Sequence, residues 1–158
     1  MRTILFVCPN GSDSSQMAKA FFSRYAPAGM KAIAAASQPV KPLNPLVINV
    51  MRETGIDIGL QRLRLLTPYV LDEADMIVVV GHGKDTFHTP SFKPKVDWDV
   101  DDPREQPIEK VRRIRDEIDA RVKFLIQRIS NRNGTDNNAH IGGSFQRRLC
   151  QRGPSKKW

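Results

Sequence analysis

The run Met76-Ile77-Val78-Val79-Val80 constrains the fold of this chain more than any other segment. It is wholly apolar and mostly β-branched, so it has no polar face to turn to water. That predicts a strand buried on both sides, as in a parallel sheet covered by helices. The run is far too short to cross a bilayer. Thr3 to Val7 has the same character, and Lys31 to Ala36 and Val96 to Val100 predict two further strands. Helical patterns alternate with these. Met17, Ala20 and Phe21 recur at helical spacing before Pro27 and Gly29, and Pro45 opens a helix to about Glu53 that Gly55 closes. Thr67 to Leu71 predicts a short helix, whereas Ile56 to Leu66 has no clear period. The last element is a long amphipathic helix over Ile108–Ile129, with Val111, Ile114, Ile118, Val122 and Leu125 on its apolar face and Arg112, Arg113, Asp116, Asp119 and Lys123 outside. Strands alternating with helices predict an α/β fold, a three-layer sandwich around a four-stranded parallel sheet.

At 158 residues the chain is large enough for one well-packed domain. Its formal charge of +8 is unevenly spread, because residues 131–158 carry +5 of it and residues 1–130 only +3. The 131–158 segment is rich in Asn, Gly and Ser and has no apolar period. Such a segment buries too little surface to offset its ordering entropy. The expected organisation is therefore a 1–130 domain followed by a disordered basic tail, 131–158. No interleaved aromatics or nucleic-acid motif accompany the charge, so nucleic acid is not an expected partner. Cys8 and Cys150 are too few for a disulfide framework, and the N-terminus enters a strand after one basic residue, unlike a secretion signal. The expected location is the cytoplasm, with no membrane partner.

In an open parallel α/β sheet, ligands bind beyond the carboxyl ends of the strands. Cys8 stands there, at the end of the first strand, before the loop Pro9-Asn10-Gly11-Ser12-Asp13 and a helix starting near Ser14. Ser12 or Asp13 suits the helix N-cap. A thiol facing a helix N-terminus has its thiolate favoured by the dipole, and the free amides suit a tetrahedral oxyanion. By position alone, a small core residue ending a buried strand explains Cys8 equally well.

Cys-Pro-Asn-Gly-Ser-Asp-Ser-Ser-Gln-Met-Ala, Cys8 to Ala18, resembles the signature of the low-molecular-weight protein tyrosine phosphatase and thioredoxin-dependent arsenate reductase superfamily: Cys, five residues, Arg, then Ser-Gln-Met-Ala. Further blocks fall in family order: Gly55-Ile56-Asp57-Ile58 with Gln61-Arg62, the strand Asp75–Val80, and the Asp-Pro loop Trp98–Pro103. The closing helix Val111–Ile118 is most similar to the arsenate reductase branch. The resemblance implies a Cys8 thiolate that attacks phosphorus or arsenic. A loop of Asn10, Gly11, Ser12, Asp13, Ser14 and Ser15 would hold the oxyanion, and Asp102 would be the general acid. It also implies phosphate, arsenate or a phosphorylated substrate as ligand, a thiol as reductant, and no metal or cofactor.

The chain departs from that pattern at chosen places. Ser14 occupies the position of the loop Arg, six residues after Cys8. The family's Gly-Asn pair is reversed as Asn10-Gly11, and Asp13 adds negative charge to a loop that should receive a dianion. Arg62, Lys84 and Arg104 are the cations that neighbouring loops could supply. The arsenate reductase branch resolves its adduct with two more cysteines after the central strand, but Gly81 to Pro90 contains none. His82 and His88 lie there instead; loop histidines are more often solvated than ligands, so no metal site is assigned. The expectation is a family member acting on phosphate or arsenate through Cys8 with activity weak or lost. The alternative is a pseudophosphatase serving as a binding or regulatory domain.

Overall fold

The computed structural model describes residues 1–9, 13–37, 42–82 and 92–136, the last with side chains to residue 132. In chain order the elements are β1 (Arg2–Cys8), α1 (Asp13–Tyr25), β2 (Met30–Ala36), α2 (Pro45–Arg52), β3 (Arg64–Leu65), α3 (Pro68–Glu73), β4 (Met76–Val80), β5 (Lys95–Trp98) and α4 (Ile108–Asp136). The sheet is parallel throughout in the order β3-β2-β1-β4-β5.

Alternation along the two central strands builds two cores. Ile4 and Phe6 of β1 and Val78 and Val80 of β4 face α1, α2 and α4. There the Phe6 ring lies 5.7 Å from that of Phe22 and 5.8 Å from that of Trp98, and all three side chains are buried. Leu5, Val7, Ile77 and Val79 face the opposite way, against Ile33, Val70 and Ala74. The two-sided burial read from Met76–Val80 is thus met by a helical layer on each face. Asp75 fixes the register of β1 on β4: its carboxylate accepts the Thr3 N–H at 2.7 Å, and its own N–H donates to the Thr3 carbonyl at 2.9 Å. On α4, Val111, Ile114, Ile118, Val122, Leu125 and Ile129 are all buried, as the three-to-four spacing predicts.

Three boundaries differ from the sequence reading. The sheet has five strands, not four, because Arg64 and Leu65 pair with Ala35 and Ala36. Both are exposed and form so short a strand that its existence rests on the distant partner, which leaves no local period. β5 ends at Trp98, before Val100. α4 runs on from Ile129 to Asp136, where the chain loses its apolar period, so backbone propagation carries the helix past its packed face.

The order places β1 at the switch point of the sheet, with β2 on one side and β4 on the other. The crevice that such a reversal opens lies beyond the carboxyl end of β1, where Cys8 is.

Candidate functional site

Cys8 is the last residue of β1 and is 8% exposed, a thiol outside any disulfide. Gly81, just past the end of β4, backs it. Its φ of +123° strains any side chain, and an added Cβ would stand 3.6 Å from Pro9 Cδ, 3.9 Å from the Cys8 sulfur and 4.0 Å from the Val100 carbonyl oxygen. The Cys8 sulfur and the start of the 100–104 segment thus both flank Gly81. On the other side of the loop, Ser37 Oγ donates to the Pro9 carbonyl at 3.3 Å.

α1 begins at Asp13, and Asp13, Ser14, Ser15 and Gln16 of its first turn are all buried. Of the loop expected to cradle an oxyanion, Asn10, Gly11 and Ser12 lie outside the described residues, as do Lys84, His88 and Cys150. Ser14, at the family's Arg position, is 2% exposed. Asp13 Oδ1 accepts the Asn44 N–H at 3.3 Å, while Asn44's own side chain caps α2 by accepting from the Leu46 N–H at 3.0 Å. Burial pushes the Asp13 carboxyl above its ordinary value; the Asn44 bond opposes this, the charge of Asp102 adds to it, and Arg104 opposes it.

Asp102 sits across from Asp13 and is held by Arg104. Its Oδ1 accepts the Arg104 backbone N–H at 2.9 Å, and the guanidinium forks onto the carboxylate, with Nε at 3.1 Å and Nη2 at 2.8 Å from Oδ2. The turn is completed by Glu105 at φ 58°, a left-handed conformation uncommon in residues other than glycine. The bonds from Asp102 hold Arg104 further in its charged form, and the charges of Asp13 and Cys8 add to this at longer range. Asp13, Asn44, Asp102, Arg104, Glu105 and Gln106 line one cavity of about 670 Å³ with the Pro42–Pro45 segment. Arg62, the other described cation that could have served, is exposed and does not line it.

His82 is engaged by two aspartates that follow β5. Its Nδ1 meets Asp99 and its Nε2 meets Asp101 Oδ1 at 2.9 Å, while Lys110 of α4 pairs with the other Asp101 oxygen at 3.2 Å. The Asp101 bond and then the Asp99 charge raise the His82 pKa; Asp101 is correspondingly lowered by His82 and Lys110. Among the described residues no group of three or more His, Cys, Asp or Glu side chains could hold a metal ion, and no helix is long and apolar enough to cross a membrane.

The structure thus brings Cys8, Asp13, Ser14, Ser15 and Asp102 to one end of the sheet. Sequence reading missed Asn44, Ser37 and Gly81, which hold the loop from segments far away in the chain. Only Gly81, a glycine directly after a strand, carried a local signal.

A thiol ending the first strand of a parallel α/β sheet, with a helix starting buried at Asp13, defines a class of small α/β proteins with a cysteine at the switch point of the sheet. The pattern of the family described as low molecular weight phosphotyrosine protein phosphatase matches residues 3–134, and the chain belongs to that family. The arsenate reductase 1 of Bacillus cereus is 36% identical over 124 residues, which is 77% of this chain and 92% of that protein. The arsenate reductase of Halalkalibacterium halodurans is 34% identical over 134 residues, covering 80% of this chain and 96% of that protein. Among solved structures, an arsenate reductase in its phosphate-binding state superposes with a TM-score of 0.73 at 27% identity, over 82% of this chain and 99% of that one. A low molecular weight protein tyrosine phosphatase from T. tengcongensis shares the fold, with a TM-score of 0.71 at 22% identity over 81% and 99% of the two chains.

Proposed function

We propose that this protein is a cytoplasmic thiol protein acting on phosphate or arsenate at Cys8, with turnover weak or lost because Ser14 replaces the loop arginine. The burial of Ser14 carries this reading: the position that should bring a cation into the loop is closed over by a neutral hydroxyl. In such a site the Cys8 sulfur attacks phosphorus or arsenic, the S–P or S–As bond forms, the leaving oxygen departs, and a carboxylic acid gives that oxygen its proton. Asp102 has the position for the last role. A serine hydroxyl offers one neutral hydrogen bond where an arginine offers a charged fork. Losing a preorganised donor costs about 10²–10³ in rate, and a transition-state arginine in phosphoryl transfer is worth about 10³–10⁵.

The arsenate reductase relatives favour arsenate over a phosphoprotein as the substrate. With no cysteine between Gly81 and Pro90 to resolve the arsenic adduct, the resolving thiol would come from outside the chain or from the remote Cys150. A second reading, a pseudophosphatase that binds without turnover, is favoured by the engagement of Asp102 with Arg104, which occupies both carboxylate oxygens.

Purified protein and its Cys8→Ser variant should be compared on an aryl phosphate and in an assay of arsenate-dependent glutathione oxidation. A slow activity lost in Cys8→Ser supports the catalytic reading, and the assay that shows it names the substrate. Equal rates for the two proteins in both assays leave the binding domain.

A further inference from the structure

We infer that Arg104 is the anion-binding cation of this site, held in reserve by Asp102 and transferred to a bound tetrahedral oxyanion in place of the missing loop arginine. The inference rests on the proposed oxyanion chemistry at Cys8.

Three observations lead there. First, the guanidinium of Arg104 already directs two N–H groups at one anion, Nε and Nη2 both reaching Asp102 Oδ2 at 3.1 and 2.8 Å with Nε also 3.3 Å from Oδ1, and the same pair of donors suits the oxygens of a phosphate or arsenate. Second, its location fits. Arg104 lines the cavity with Asp13, the first residue of α1, and the 100–104 segment that carries it flanks Gly81, as the Cys8 sulfur does. Third, the restraint is weak. The two side chains of the ion pair are 40% and 44% exposed, and a pair this open to water contributes little that an incoming dianion would have to replace. A dianion also outbids a single carboxylate for the fork when the amides at the start of α1 hold its other oxygens. The attraction that Arg104 feels from Cys8 and Asp13 agrees with this placement.

The exchange has a chemical consequence. While Arg104 holds Asp102, both oxygens of that carboxylate accept its bonds. When the oxyanion takes the fork, Asp102 loses the guanidinium and is free to take a proton from water, which it needs before it can act as the acid. Ligand binding and readiness of the acid are thereby coupled through one side chain.

The test is protection of Cys8 from iodoacetamide by inorganic phosphate, read by mass spectrometry of the Cys8 peptide in the full chain. The proteins compared are wild type, Arg104→Ala, Arg104→Lys and Asp102→Asn, with thermal melts confirming that each folds. Arg104→Ala should weaken half-protection by about tenfold or more, and Arg104→Lys should fall between it and wild type. Asp102→Asn should tighten it, because the reserve is released. A purely structural ion pair would shift both partners' variants in the same direction. Equal protection of wild type and Arg104→Ala overturns the role of Arg104 and leaves Cys8 as an oxyanion site. Failure of phosphate to protect Cys8 in wild type and in Asp102→Asn overturns both.

Discussion

Asp13 occupies the first turn of α1, where the helix dipole and free amides ordinarily favour a negative charge. Burial outweighs that benefit and raises its carboxyl above the ordinary 3.8. A folded-state pKa above the unfolded one means the folded protein holds that proton more tightly. The resulting stability is fully present below the unfolded value and is lost as pH rises through the folded one. At neutral pH an ionised Asp13 is therefore a cost, and Asp13→Asn should raise the melting temperature at pH 7. The gain should shrink as pH falls through the raised folded value and be gone below about 3.8, where the wild-type carboxyl is protonated in both states. Melts of the two proteins from pH 3.5 to 7.5 check this; a variant less stable than wild type at pH 7 would contradict it. Sequence alone exposed the charge of Asp13 and the absence of an arginine at Ser14, because both are read by counting from Cys8. It could not expose the Asn44 amide on Asp13, since that contact joins segments far apart in the chain.

Elements were legible in proportion to how much of their stability comes from a repeated apolar contact. β1, β4 and α4 announced themselves because each buries a regular set of side chains, whereas β3 exists through pairing with Ala35 and Ala36 and was not seen. The same logic ranks substitutions along α4. Ile118 is fully buried at the centre of the larger core, so Ile118→Ala should cost about 2–5 kcal/mol through lost transfer energy and an unfilled cavity. Lys123, on the outer face, pairs with Asp119 one turn away and covers the Tyr25 ring; Lys123→Ala should cost under about 1 kcal/mol. Urea titrations measure both, and similar losses at the two positions would contradict the packing described. The cap of α2 is a smaller case. Asn44→Ala removes the side-chain oxygen from the Leu46 N–H but keeps the backbone donor to Asp13, so the expected loss is about 0.5–2 kcal/mol. If the oxyanion site depends on the Asn44 backbone alone, phosphate protection of Cys8 should survive that change, and its disappearance would show that the cap orders the loop as well.

At the scale of the molecule, the carboxyl edge of the sheet is held together by charge. His82 follows β4, Asp99 and Asp101 follow β5, and Lys110 belongs to α4, so one exposed network joins three elements around the segment that carries Asp102 and Arg104. Nothing in the local sequence marks it: His82 lies far from both aspartates, and only the pairing of β4 with β5 brings the two strand ends together. The family blocks made the fold and the place of the site legible, while the ties that set its geometry came from the tertiary structure. The network is also a titratable one. Its aspartates raise the His82 pKa above the ordinary 6.5. The stability it contributes is fully present below 6.5 and fades as pH rises through the higher folded value. Wild type should therefore melt above His82→Ala at pH 6, and the gap should close as the imidazole loses its proton. Added salt should narrow the gap at pH 6, since every member of the network is exposed to solvent. A gap that widened from pH 6 to 9, or an NMR titration placing His82 below 6.5, would show that the aspartates do not hold the imidazolium. If the titration follows the expected course, amide exchange in residues 99–104 should quicken over the same pH range, because the protonated ring is what ties that segment to the end of β4.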